Sequence, residues 1–250
     1  KTILSWTIRE SLPKKFMRIR VPGAFGSTKA RKCMNNRSEN GAARAVSVQK
    51  SGELSEMSDI LGKAYWDERY RTGQTGWDIG SVSPPLKAYF DTLTDKNLRI
   101  LIPGGGNSYE AVYLIEKGFQ DVTVVDISEV VCQQLTEKHA SEGLKVVCDD
   151  FFEHSGNYDL IVEQTFFCAL NPSLRPAYLQ KMSELLAADC RLVGLLFNRE
   201  FAGGPPFGGS EAEYRALFQE ADFQITVDLN PNSIAPRRGS ELFFIATKKR

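Results

Sequence analysis

From residue 98 onward the chain alternates short apolar runs with amphipathic segments, and this alternation constrains its fold more than any other feature. Residues 98–102, 122–125, 145–148, 158–162 and 191–197 have the length and apolar content of strands. Residues 109–117, 129–139 and 175–186 carry their apolar side chains at helical spacing. Strands separated by helices require a mostly parallel sheet covered on both faces, because each connection must cross back over the sheet. A helix over 211–220 then precedes strands at 224–229 and 241–247. No helix separates those last strands, so they are expected to form an antiparallel hairpin at the sheet edge. The expected class is α/β, doubly wound, with an antiparallel edge strand.

Ahead of this alternation the texture differs. Residues 1–52 hold twelve Lys or Arg and two acids, Glu10 and Glu39. Prolines and glycines interrupt residues 1–56, and no core-forming pattern is present. An organelle transit peptide, a disordered basic arm and a foreign or mistranslated stretch before Met57 all fit this composition. The reading is therefore a basic leader over 1–56 and a folded domain over 57–250. In the body, residues 59–70 read as a helix with Ile60, Leu61, Ala64 and Tyr65 on one face. Gly73, Gly76 and Gly80 mark a loop carrying Trp77. Pro84 and Pro85 open a helix through Leu93, since proline is tolerated in a first turn.

After residue 52 the chain retains nineteen basic and twenty-nine acidic residues, an acidic balance that argues against nucleic acid as substrate. No apolar run approaches the ~18 residues that a membrane span needs. The five cysteines are scattered, with neither metal-ligand spacing nor a disulfide framework, which fits reduced thiols in a cytoplasmic compartment. A leader that acts as a transit peptide would instead direct the chain to an organelle. A monomer is expected. With only His139 and His154 present, histidine catalysis is not the first expectation.

The strand at 98–102 runs into Pro103-Gly104-Gly105-Gly106-Asn107-Ser108 and then a helix. Glycines allow a tight turn and a close approach of backbone to ligand. In open α/β sheets ligands bind outside the carboxyl ends of the strands, where this loop falls. Asp126 ends the next strand about twenty residues on, where an acid can hold ribose hydroxyls; a helix N-cap is the alternative. Asp149-Asp150-Phe151-Phe152 follows the third strand. An acid there can accept from an adenine amino group and an aromatic can cover the ring, or the segment is a solvated loop with one buried Phe. Glu163-Gln164-Thr165-Phe166-Phe167 follows the fourth strand; its alternative reading is a polar strand end with core aromatics. The glycines lack the G-x-G-x-x-G order of dinucleotide enzymes.

Taken together, these pieces resemble the thiopurine S-methyltransferase family, and its halide/thiol methyltransferase branch more than the thiopurine enzymes. The likeness lies in Trp66-Asp67-Glu68-Arg69-Tyr70, Gly76-Trp77-Asp78, the glycine loop, Asp126-Ile127-Ser128, Asp150-Phe151-Phe152, Thr165-Phe166-Phe167-Cys168-Ala169 and Gly203-Gly204-Pro205-Pro206-Phe207. The resemblance implies a seven-stranded class I sheet, Rossmann-like, and S-adenosyl-L-methionine as methyl donor. It places Trp66, Tyr70 and Trp77 near the donor's methionine end, Gly104 and Gly106 against its backbone, and Asp126 with Ile127 at the ribose. It places Asp149, Asp150 and Phe151 at the adenine, and Gln164 between donor and acceptor. The acceptor pocket would comprise Trp77, Gln164, Phe167 and Phe207, with a lid of Phe167, Phe197, Pro205, Pro206 and Phe207 desolvating the acceptor. Gln164 stands where thiopurine enzymes carry Arg. Arg237 and Arg238 are candidate charges for the acceptor, or a solvated pair. The expected acceptor is a small soft nucleophile, a thiol, hydrosulfide or halide, with no metal required. A thiopurine-type enzyme, a nicotinamide-dependent reductase and a catalytically dead donor-binding module are the rival readings.

Overall fold

The computed structural model describes residues 61–229 and 232–249. The expected leader, and Asp59 and Ile60 of the first helix, lie outside them. The helices are α1 (Lys63–Arg71), α2 (Pro84–Phe90), α3 (Tyr109–Glu116), α4 (Glu129–His139), α5 (Arg175–Leu185) and α6 (Glu211–Glu220). The strands are β1 (Arg99–Pro103), β2 (Asp121–Asp126), β3 (Lys145–Cys148), β4 (Tyr158–Gln164), β5 (Leu186–Phe197), β6 (Phe223–Leu229) and β7 (Glu241–Lys248). They form one seven-stranded sheet in the order β3-β2-β1-β4-β5-β7-β6. Strands β1 to β5 pair in parallel, while β7 runs antiparallel to both β5 and β6. The terminal hairpin does close the edge, with β7 as the inner antiparallel strand and β6 outermost.

Alternation along the strands divides the core between the two faces. Ile100 and Ile102 of β1 join Val122 and Val124 of β2 beneath Leu86, Phe90 and Leu114 of α2 and α3. On the other face Leu101, Val125, Ile161 and Leu192 meet Tyr178, Leu179 and Met182 of α5 and Phe218 of α6. Each parallel strand thus supplies both layers, which is why these strands read as continuous apolar runs, while β6 packs on one face only.

Element ends moved where backbone pairing outran the apolar pattern. Helix α2 stops at Phe90, and strand β5 begins at Leu186, straight out of α5. The polar stretch after Leu186 continues strand geometry although it is exposed. The last helix starts with a capping box: Ser210 Oγ accepts from the Glu213 N–H and Glu213 Oε2 accepts from the Ser210 N–H. That arrangement fixes the exit of the 198–209 loop. Among the described residues no helix is long and apolar enough to cross a membrane.

Candidate active site

A cavity of about 570 Å³ opens at the carboxyl ends of the parallel strands. Its size falls within the ~300–1,000 Å³ usual for small-ligand sites. Gly104 from the β1 loop, Asp126 and Ile127 from β2, Asp149 to Phe152 beyond β3, and Thr165 and Phe166 beyond β4 all line it. Helix α1 and its following loop roof it with Tyr65, Trp66, Tyr70 and Trp77. Phe197, Arg199, Phe201, Pro205 and Pro206 close the β5 side, and Pro236 and Arg237 reach in from the turn before β7.

Asp126 ends β2 and lines the cavity, at the position where the ribose-binding acid is expected. It is only 7% exposed, and its oxygens accept from the Gly106 N–H (2.9 Å) and the Ser128 N–H (2.9 Å). Burial pushes its pKa up, while those bonds pull it back toward the ionised form. The capping alternative is thus partly realised at Ser128, yet the carboxylate still lines the cavity, and two oxygens offer about four lone-pair sites. The loop beneath it needs its glycines. Gly104 adopts φ +55°, and a Cβ there would stand 2.2 Å from the Phe166 ring.

The roof is an aromatic cluster. Trp66 and Trp77 meet edge to face at 5.5 Å, Tyr70 and Trp77 at 5.9 Å, and Tyr65 and Trp66 at 5.0 Å. Two ties hold it down. Asp67, the buried residue of α1, accepts from Ser128 Oγ (2.7 Å) and the Val130 N–H (3.3 Å) at the start of α4. Burial works to raise the Asp67 pKa, but those bonds together with Lys63 and Arg71 outweigh it and keep the carboxylate below its ordinary value. Beyond α1, Asp78 accepts from Asn107 Nδ2 and from Tyr109 Oη, joining the Trp77 loop to the glycine loop. Arg237 Nη2 donates to the Trp77 carbonyl (3.1 Å) from the opposite side.

Several expected residues lie elsewhere. Phe167 is 1% exposed and packs in the core against Tyr178 and Tyr214, with the Arg175 guanidinium 4.6 Å from its ring. The core-aromatic alternative holds for it, because the chain turns at Thr165 (φ +62°) and sends Phe166, not Phe167, to the cavity wall. Gln164 does not line the cavity either; it stays in the ladder opposite Leu195. Phe207 sits behind the lid, its ring against Gly204 and its N–H on the Cys168 carbonyl. Gly106 is covered by the Tyr70 hydroxyl and meets Asp126 instead of the cavity. Arg237 does line the cavity, whereas Arg238 does not.

Sequence reasoning did not single out Arg69, Gln74, Arg199 or Phe201 as lining residues. Arg69 lies one helical turn from Tyr65 and donates to its hydroxyl, a spacing legible once α1 is known to face the cavity. Arg199 and Phe201 fall in an irregular loop, where no periodicity marks the inward side. Among the described residues no cluster of His, Cys, Asp or Glu has the arrangement of a metal site.

The strand order 3-2-1-4-5-7-6, with an acid ending β2 and a glycine turn after β1, defines the class: a class I S-adenosylmethionine-dependent methyltransferase. Solved structures share the fold. The 1,6-didemethyltoxoflavin-N1-methyltransferase of Burkholderia thailandensis superposes with TM-score 0.63 at 19% identity, over 82% of this chain and 93% of that one. A TehB-like methyltransferase of Corynebacterium glutamicum gives 0.56 at 19% identity, over 75% and 98%. Residues 61–241 match the profile of the thiopurine S-methyltransferase family. Probable thiol methyltransferase 2 of Arabidopsis thaliana is 31% identical over 80% of this chain and 92% of its own length. Thiocyanate methyltransferase 1 of Brassica oleracea is 31% identical over 74% and 85%. The thiopurine S-methyltransferase of Nitrosospira multiformis is 26% identical over 62% and 80%. The chain belongs to the thiopurine S-methyltransferase family, and it is an enzyme that uses S-adenosyl-L-methionine.

Proposed function

We propose that this enzyme methylates a small, soft nucleophile, a low-molecular-weight thiol, hydrosulfide, or a halide or pseudohalide ion. The carrying observation is the apolar part of the cavity wall. Phe166, Phe197, Phe201, Pro205 and Pro206 make that side apolar and confined. Such a wall favours a weakly hydrated nucleophile over a strongly hydrated one. The names of the thiol and thiocyanate methyltransferase relatives agree with this chemistry. Arg237 is held 3.3 Å from Glu241, so its charge is already balanced and is not free to anchor a bulky anionic heterocycle.

The residues fit the donor. In this reading Asp126 has lone pairs to spare for ribose hydroxyls, and Asp149, Asp150 and Phe151, which line the same cavity, serve the adenine. Trp66, Tyr70 and Trp77 offer aromatic faces to a cation, an attraction of ~0.5–2 kcal/mol per favourable contact. The bound sulfonium supplies both the methyl group and its own leaving group. The chain's part is alignment and the exclusion of water. A thiol of pKa ~8.5 is partly ionised near neutrality, and a halide carries no proton, so neither asks the protein for a strong base. The cavity acids, Asp126, Asp149 and Asp150, all come from the ends of β2 and β3.

The acting unit in this reading is residues 57–250, a monomer with the leader dispensable, working in the cytoplasm unless the leader directs it to an organelle. Incubating the enzyme with the donor and either iodide or hydrosulfide, then measuring methyl iodide or methanethiol in the headspace, tests the acceptor class. Stoichiometric, enzyme-dependent product is the expected result. Donor binding without product from either would overturn it.

A further inference from the structure

Beneath the apolar wall lies a carboxylic acid that neither the donor nor the acceptor side uses. Glu163, next to last in β4, is 0% exposed. One oxygen accepts from two successive backbone groups, the Phe166 N–H (2.9 Å) and the Phe167 N–H (2.8 Å). The other accepts from the hydroxyl of Tyr178 on α5 (2.7 Å), itself fully buried. The opposite strand makes room for it. Gly194 pairs with Glu163 in β5, and a Cβ there would stand 2.4 Å from the Glu163 Cβ. A glycine inside a strand weakens it, and here the glycine clears the space that the acid fills.

What the acid holds is a bend of the cavity wall. Thr165 takes φ +62°, a left-handed conformation costly for a β-branched residue. The bend puts Thr165 and Phe166 on the cavity, Phe166 against Gly104 and edge-on to Phe151 at 5.2 Å. Without an acceptor the Phe166 and Phe167 N–H groups would be unpaired, the second of them buried, in a turn already strained.

We propose that Glu163 is a positioning residue for methyl transfer: through the 165–167 bend it sets the wall that aligns the acceptor with the donor. This rests on the function proposed above, since it assigns that wall to the acceptor. Glutamine keeps one carbonyl oxygen for the two N–H groups, and alanine keeps none, so the pair separates positioning from mere filling of space.

The test compares wild type, Glu163→Gln, Glu163→Ala and Tyr178→Phe. Donor Kd is measured by calorimetry, and kcat and acceptor KM with iodide or hydrosulfide at saturating donor. Glu163→Ala is expected to lose at least tenfold in kcat with donor Kd changed less than threefold, and Glu163→Gln to recover most of that loss. If Glu163→Ala does not fold, Tyr178→Phe decides: a kcat at least threefold below wild type with unchanged donor Kd supports the role, and a smaller change overturns it. Folded Glu163→Ala with kcat within twofold of wild type would overturn it, as would a Glu163→Gln no better than alanine. Wild type that turns over neither acceptor defeats the functional reading instead, and is seen before any variant is compared.

Discussion

Asp126 shows how one side chain serves both scaffold and site. Its two backbone bonds fix its rotamer, and its remaining lone pairs face the cavity. Asp126→Ala should therefore weaken S-adenosylmethionine binding by roughly 1–3 kcal/mol, the cost of stranding its partners. Calorimetry on a variant with native circular dichroism checks this, and an unchanged dissociation constant would refute the assignment. Its place at the cavity was legible from position alone, at the end of the second strand. The role of Glu163 was not, because it depends on Gly194 across the sheet and Tyr178 from a distant helix. Burial pushes the Glu163 pKa up to about 7 from an ordinary 4.5. Below the ordinary value both folded and unfolded chains hold the proton, and no penalty arises. As pH rises from there, the unfolded chain releases a proton that the folded chain keeps, so stability falls until the folded value is passed. At ~1.4 kcal/mol for each pH unit between the two values, the loss is on the order of a few kcal/mol. Melting temperatures at pH 5 and pH 8 should show wild type losing several degrees more than Glu163→Gln, while the other titrating groups cancel. Parallel declines would contradict the account.

At the scale of elements, the first helix is the least obvious part of the site. An apolar face beginning at Ile60 was expected to bury it, but its buried residue is Asp67, which latches it to the start of α4. Residue periodicity does not reveal a polar latch, since its partner lies sixty-one positions away. Asp67→Ala would leave Ser128 Oγ and the Val130 N–H unpaired and loosen the aromatic roof. Donor affinity should drop three- to thirtyfold, with faster amide exchange confined to α1 and the 72–80 loop. Exchange spread evenly over the sheet would indicate general destabilisation instead. The lid teaches a related lesson. Gly203 to Phe207 was recognisable as a rigid segment, yet only Pro205 and Pro206 of it reach the cavity, while Phe207 braces Gly204 from behind. Which side of an irregular loop faces inward depends on its anchors, here Arg175 donating to the Gly208 carbonyl and Phe207 donating to the Cys168 carbonyl.

For the whole molecule, the parallel sheet was readable because each parallel strand feeds both cores, and the terminal hairpin because no α-helix separates its strands. The placing of β7 inside β6 was not readable, since both are short and apolar and only pairing with β5 orders them. Among the described residues, the cavity is lined from Leu61 onward. A chain beginning at Met57 should therefore melt within a few degrees of the full chain and bind the donor equally; a larger loss in differential scanning calorimetry would show that the leader packs on the body. The central claim is that the apolar wall selects a small, soft acceptor. Specificity constants for hydrosulfide, iodide, thiophenol and mercaptopurine, measured at saturating S-adenosylmethionine, test it most directly. The account predicts that hydrosulfide or iodide exceeds mercaptopurine; a preference for mercaptopurine of tenfold or more, ~1.4 kcal/mol in transition-state binding, would contradict it.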